Sequence, residues 1–450
     1  MKNPTKVIMQ GLSAIGVVLV ITLAAGTVLN AEDWAQWRGS DRLGIWTETG
    51  IIDSFPAEGL QVKWRVPVRS GFSGPAVADG RVFILDWMED PASRTLDGTE
   101  RVVALDEETG DILWTHEWST SYRMLMVSYA VGPRSTPTVD GDRVYVVGAT
   151  GRFFCLDVET GEVLWSKDYV AEYDTSIPTW GIASSPLVDG DKLITVVGGE
   201  PESLVMAFDK RTGEEIWSAV EVVGEMGYGQ PVIYEAGGAR QLIVWHASAL
   251  VSLNPEDGEI YWEEEWEAGS GMSVTTPVKS GDYLLVSQFY NGSMMMRFNQ
   301  DRPAASMLWK GSSRSEMPDE TQGLHSLITT PLVIDDYIYG VGSYGELRGL
   351  DARTGERLWV SDEMTAQARW GAAFLVKHGD RYFVNNDDGF LMIAQFTPEG
   401  YVELDRTRLI EADGSAGIGN NNRFDRAINW SHPAYANKHI VHRNNTELIR

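Results

Sequence analysis

The chain has 450 residues, of which 43% are hydrophobic and 10% aromatic, enough to bury a large core. Its formal net charge is −27, which excludes nucleic acid as a primary partner, because phosphate binding needs clustered Lys and Arg. There is one cysteine, Cys155, so an intramolecular disulfide is excluded as well.

Residues 1–31 read as an export leader. Lys2 and Lys6 form the charged start, Ala14 to Leu29 the apolar centre, and Ala31 precedes the acidic "EDW" of the mature chain. The alternative is an uncleaved N-terminal anchor, since the apolar run approaches spanning length. No Cys follows that run, so a lipoprotein anchor does not apply. No other segment is long and apolar enough to span a bilayer as a helix. Residues 32–59 form an N-terminal lead-in, and residues 60–450 carry an internal repeat.

The repeat begins at Ser73 with "SGPAVADGRVFIL". Related starts follow at Ser135, Ser184, Gly229, Thr275, Thr329, Gly371 and Ser431, eight in all. Their prolines, at 75, 137, 186, 231, 277 and 331, are 62, 49, 45, 46 and 54 residues apart. A period near 40 to 50 with four short strands per unit marks propeller blades. Each unit is expected to run strand A (Pro-x-Val), a turn at Asp-Gly, then strands B, C and D.

A second line closes each unit: "ALDEETGDILW" (Ala104–Trp114), "CLDVETGEVLW" (Cys155–Trp165), "AFDKRTGEEIW" (Ala207–Trp217) and "GLDARTGERLW" (Gly349–Trp359). The Asp is placed to accept backbone N–H bonds across the C–D turn. Gly110, Gly161, Gly213 and Gly355 supply a positive φ. The Trp, four residues on, sits on the outer strand and covers the seam to the next blade. Weaker copies end at Trp262 and Trp309. The seventh unit, Ile393 to Leu404, has lost both Asp and Trp. The eighth lacks strand D, which is expected from "LQVKWRV" at Leu60, with Trp64 in the covering position. That donation closes the ring and removes the sheet edges. The predicted fold is all-β, an eight-bladed β-propeller of four-stranded antiparallel blades.

The A-x-D-x-x-T-G-x-x-x-W line and the segment "DWAQWRGSDRLG" (Asp33–Gly44) resemble the pyrroloquinoline-quinone-like (PQQ-like) β-propeller repeat family, over about residues 60 to 450. In that family the line is a tryptophan-docking motif. The resemblance thus implies structural docking roles for Trp64, Trp114, Trp165, Trp217, Trp262, Trp309 and Trp359. The family contains quinoprotein alcohol dehydrogenases and non-catalytic, exported, BamB-like propellers of the outer-membrane barrel-assembly machinery, so the motif specifies fold rather than function. The quinoprotein alternative implies a quinone, Ca²⁺, a carboxylate base and a disulfide between adjacent cysteines. With one Cys that disulfide cannot form, and no residue carries over as a calcium ligand.

Other chemistry is sparse. His439 and His442 form an H-x-x-H, but on a strand they face opposite ways. No H-E-x-x-H, P-loop or G-x-S-x-G is present. No catalytic or metal residue is assigned, and no cofactor is expected. The richer place is the start of the A strands, which line the channel of a propeller. Phe72, Arg134, Trp180, Tyr228, Met272, Ser326, Trp370 and Trp430 are expected to ring one mouth. Aromatic walls with one guanidinium suit a ligand pocket or an interface hot spot; the alternative is channel filling. Two long polar loops, 310–325 and 411–429, lead toward the same mouth. The leading reading is an exported, periplasmic or extracellular, non-enzymatic binding or scaffold module. It would engage a protein, peptide or small ligand at the mouth, with no nucleic acid and no membrane span in the mature chain. The rival is an enzyme, either a divergent quinoprotein oxidoreductase or a hydrolase or lyase using Arg134, Asp425 and His432.

Overall fold

The recurrent turn is built alike each time it occurs in full. The Asp106 carboxylate accepts from the backbone N–H of Glu108 (3.0 Å) and Thr109 (2.8 Å), and Asp157 and Asp209 do the same two and three residues on. These bonds hold all three carboxyls below the usual range. Gly110, Gly161, Gly213 and Gly355 all have φ of 74°, in the left-handed region that favours glycine. The small residue that opens the line pairs with the Trp that closes it: Ala104 with Trp114, Cys155 with Trp165, Ala207 with Trp217 and Gly349 with Trp359. Cys155 is therefore a small residue under an indole. It is buried, and burial pushes its thiol up to about 11.

In this computed structural model of the chain, Met1 and residues 32–128, 130–342, 344–415 and 426–450 are described. The rest of the expected leader and Asp425 lie outside them. The described residues form eight four-stranded antiparallel sheets and one two-stranded sheet, Gly414–Ser415 with Ala427–Ile428. The eight are the blades of an eight-bladed β-propeller. We number the blades 1 to 8 by their inner strands A: Ala76–Ala78, Thr138–Asp140, Leu187–Asp189, Val232–Ala236, Val278–Ser280, Leu332–Ile334, Ala373–His378 and Ala434–Ala436. The outer strands D of blades 1 to 7 are Ile112–Ser121, Val163–Asp168, Glu215–Ala219, Ile260–Glu265, Ala305–Lys310, Arg357–Ser361 and Gly400–Arg408. Blade 8 takes its strand D, Arg65–Pro67, from the N-terminal side, paired antiparallel with Glu447–Ile449. The strand is shorter than the seven-residue run read from sequence, and Trp64 stands just ahead of it.

The lead-in belongs to the same compact unit as the blades, Ala31–Arg450. Trp34 exchanges backbone bonds with Val77 of blade 1, at 2.8 and 2.9 Å, and Ala35 O accepts from Val139 N of blade 2. Arg42 donates to the carbonyls of Ser185, Pro186 and Pro231, ahead of the A strands of blades 3 and 4. Trp37 Nε1 donates to Thr276 Oγ1 at blade 5 (3.1 Å). Gly44 O and Trp46 N bond Lys377 of blade 7, and Glu32 O accepts from Asn437 N of blade 8. The inner strands surround the propeller axis, so a segment bonded at seven of the eight blades lies across that axis. Trp34, Arg38 and Arg42 are buried there.

Candidate functional site

The residues three places ahead of each strand-A proline converge on one cavity of about 190 Å³. They are Phe72, Arg134, Ala183, Tyr228, Val274, Ile328 and Trp430; Trp370 holds the matching place in blade 7, which lacks the proline. Of the eight predicted mouth residues, seven line the cavity: Phe72, Arg134, Trp180, Tyr228, Met272, Trp370 and Trp430. Ser326 does not. It is fully buried and its hydroxyl donates to Val341 O (2.5 Å), inside the wall of blade 6. Leu327 and Ile328 take its place in the lining. The three-residue offset from proline was present in the sequence and would have selected Ile328.

The rings are in contact around the wall. Phe72 and Trp430 lie 6.2 Å apart, Trp180 and Tyr228 meet edge to face at 5.8 Å, and Trp370 stacks on Phe289 at 4.4 Å. The Arg369 guanidinium covers Trp370 at 4.3 Å. The lead-in contributes Trp37 to the lining, a residue that sequence reasoning missed because nothing local links residue 37 to strands hundreds of residues away. His432 lies beneath, 5% exposed, against Trp37 (4.8 Å) and Phe374 (5.0 Å). Its Nδ1 bonds Pro433 O (2.8 Å), and burial pushes it down to about 3, so it is neutral near pH 7.

Most polar groups of the wall are already satisfied. Tyr228 OH donates to Glu225 (2.9 Å), and burial followed by that carboxylate holds the phenol well above its ordinary range. Gln230 donates to Ala183 O (2.9 Å) and accepts from Ser185 N (2.6 Å). Arg134 differs. Its Nη1 donates to Trp180 O (2.6 Å) and Gly132 O (3.3 Å), and its Nη2 to Ala130 O (3.0 Å). Three carbonyls fix the guanidinium, and among the described residues no carboxylate pairs with it. Burial lowers its pKa, yet an arginine stays charged. Trp430 Nε1 is buried with no acceptor among the described residues. The cavity is thus an aromatic box with one held cation and one idle donor.

Six of the seven outer-strand indoles cross to the next blade. Nε1 of Trp64, Trp114, Trp165, Trp217, Trp309 and Trp359 donates to the carbonyls of Glu107, Val158, Lys210, Pro255, Ala352 and Thr397, at 2.8 to 3.2 Å. Trp262 turns instead to Gln241 Oε1 of its own blade (2.8 Å). The C–D turn of blade 5 has Pro303 where glycine stands elsewhere and is two residues longer, so the glycine that receives the indole at the other seams is absent there. His439 and His442 diverge as expected for a strand. His442 is 2% exposed and bonds Asn429, while His439 is half-buried and bonds Asn437 O. Among the described residues no helix is long and apolar enough to cross a membrane.

Residues 54–131 and 98–361 match the family model described as "Outer membrane protein assembly factor BamB". The BamB of Yersinia pestis is 26% identical over 292 residues, 61% of this chain and 68% of that protein. The quinohemoprotein alcohol dehydrogenase ADH IIB of Pseudomonas putida is 30% identical over 141 residues, 30% of this chain and 20% of that enzyme. Among solved structures, BamB from Moraxella catarrhalis superposes with a TM-score of 0.54 at 13% identity, covering 87% of this chain and 99% of that one. A europium-containing methanol dehydrogenase gives 0.57 at 14% identity, covering 87% and 88%. At such identities the superpositions show the fold alone.

Proposed function

The chain belongs to the family of the outer membrane protein assembly factor BamB, and from that premise we propose that it is an exported, non-enzymatic scaffold that engages a protein partner at its channel mouth. The observation that carries the reading is the mouth cavity: aromatic side chains from five blades and from Trp37 of the lead-in, with Arg134 held ready and unneutralised. Buried aromatic and Arg anchors are what protein interfaces use as hot spots. A partner would place an apolar or aromatic side chain in the box and an acidic or carbonyl group on Arg134. The proposed location is the periplasm, in keeping with a family named for outer membrane protein assembly. No cofactor is proposed. A quinone site of the quinoprotein kind calls for carboxylates around Ca²⁺ and a cysteine pair, whereas the cavity lining has no Asp, Glu or Cys. No step is derived through such a group.

The test is capture and crosslinking of envelope proteins on the purified chain, against a Trp180→Ala/Trp370→Ala variant. Partner crosslinks mapping to the mouth, and lost in the variant while its thermal unfolding stays cooperative, are expected. Crosslinks that persist unchanged would sink the mouth as the site.

A further inference from the structure

The seam between blades 7 and 8 is unlike the other seams. Strand D of blade 7 carries no Trp, and blade 8 has no C–D turn, because its strands C and D come from opposite ends of the repeat region. The lead-in covers the gap. Phe55 N donates to Asp405 of blade 7 (2.6 Å), and Ile51 O accepts from Arg381 (3.2 Å). The cover does not fill the space. A cavity of about 390 Å³ remains, within the range of small-molecule sites, and its interior is Trp46, Phe55, Leu60, Phe383, Leu391 and Ile440.

Its rim is cationic in a chain of net charge −27. Arg65, Arg408 and Lys438 line it against one acid, Glu411. Arg65 is paired with Glu447, and Arg408 lies 3.6 Å from Glu411. Lys438 makes no ion pair among the described residues. Beside this opening stand Ile52 and Val62, 45% and 41% exposed, an apolar lip rather than a sealed edge. A largely apolar interior with an unpaired ammonium in its lining is complementary to one chemistry, an apolar chain ending in an anion. We propose that the cavity between blades 7 and 8 binds a single acyl chain by its hydrocarbon, with Lys438 holding the acidic head. The site is separate from the channel mouth and stands independently of the function proposed above.

Titration of the purified protein with dansyl-undecanoic acid tests it. Saturable binding of one probe per chain, displaced by dodecanoate but not by dodecanol, is expected. Val62→Trp, or Ile52→Trp if the first fails to fold, should abolish it by filling the opening. Lys438→Ala should weaken it roughly tenfold, the worth of one charge-assisted contact. Trp180→Ala, at the other cavity, should leave it unchanged. Flotation with phosphatidylglycerol vesicles separates the sources: flotation lost in Val62→Trp assigns the chain to a membrane lipid, and dodecanoate binding without flotation assigns it to a free fatty acid. Absence of binding, binding indifferent to both opening variants, or loss in Trp180→Ala overturns the proposal.

Discussion

Gly161 is under two constraints, and the sequence displays only one of them. Its φ of 74° calls for glycine on backbone grounds. In addition, a Cβ there would stand 2.5 Å from the ring of Trp114, which belongs to the preceding blade. Gly110 and Gly213 stand in the same relation to Trp64 and Trp165, at 2.8 Å each. A periodic line reveals what recurs within a repeat; it does not say that the glycine of one copy receives the indole of the copy before. Gly161→Ala should therefore cost about 2 kcal/mol or more, from the left-handed backbone and the displaced indole together. Gly141→Ala, at a φ of 56° with open space where the Cβ would go, should cost about 1 kcal/mol from the backbone alone. Chemical unfolding of both variants checks the difference; equal losses would mean that the indole contact contributes nothing.

The outer strands differ in what their indoles hold. Trp114 Nε1 reaches Val158 O of blade 2 at 3.0 Å, and Val158 is 6% exposed. Trp114→Phe keeps most of the ring but leaves that carbonyl buried without its donor, at a cost of about 1 to 3 kcal/mol. Trp262 bonds Gln241 Oε1, which also accepts from Ser252 Oγ at 2.8 Å. Trp262→Phe leaves the amide oxygen satisfied and should cost less than about 1 kcal/mol. A pair of thermal melts decides this, and a Trp262→Phe loss as large as that of Trp114→Phe would refute the distinction. The strand order and the borrowed eighth-blade strand were legible in the sequence because each blade repeats one hydrophobic alternation and one turn. The mouth was legible in part: Phe72, Arg134, Tyr228 and Trp430 fit a count of three from their prolines, whereas Trp180 and Met272 line the cavity from six and five places ahead. Ser326 stands five places ahead of its proline, as Met272 does, but its hydroxyl turns into the wall of blade 6, and Ile328, two places nearer the proline, lines the cavity instead. Trp37 and the blade 7–8 cavity were not legible, since both depend on where the lead-in lies, and that segment has no repeat to be aligned with.

At the scale of the whole ring, closure depends on blade 8, the one blade assembled from distant parts of the chain, and that blade buries two neutral imidazoles. His432 lies under the channel mouth with the Arg38 guanidinium of the lead-in contributing repulsion, and His442 lies on strand His439–Arg443 beside Arg443. Burial, the larger cause in both, pushes each down to about 3. In the unfolded chain each titrates near its ordinary value of about 6.5. Between those values the unfolded state binds protons that the folded state refuses, so stability is fully present above about pH 6.5 and falls as the pH is lowered toward about 3. Each histidine then contributes a loss on the order of a few kcal/mol across that window. The turn carboxylates Asp106, Asp157 and Asp209, held below their ordinary range, add their own loss only at lower pH, below about 4. His246 of blade 4, which burial pushes down to about 4, adds to the same window, but only blade 8 carries two such groups and blades 2 and 3 carry no histidine. Hydrogen exchange at about pH 5 should show the pairing of Arg65–Pro67 with Glu447–Ile449 opening before the strands of blades 2 and 3. A His432→Asn/His442→Gln variant, though less stable at neutral pH, should lose much of the slope in melting temperature between about pH 6.5 and about pH 4. If the variant keeps the wild-type slope, or if blades 2 and 3 exchange first, acid does not enter the ring at its closing blade.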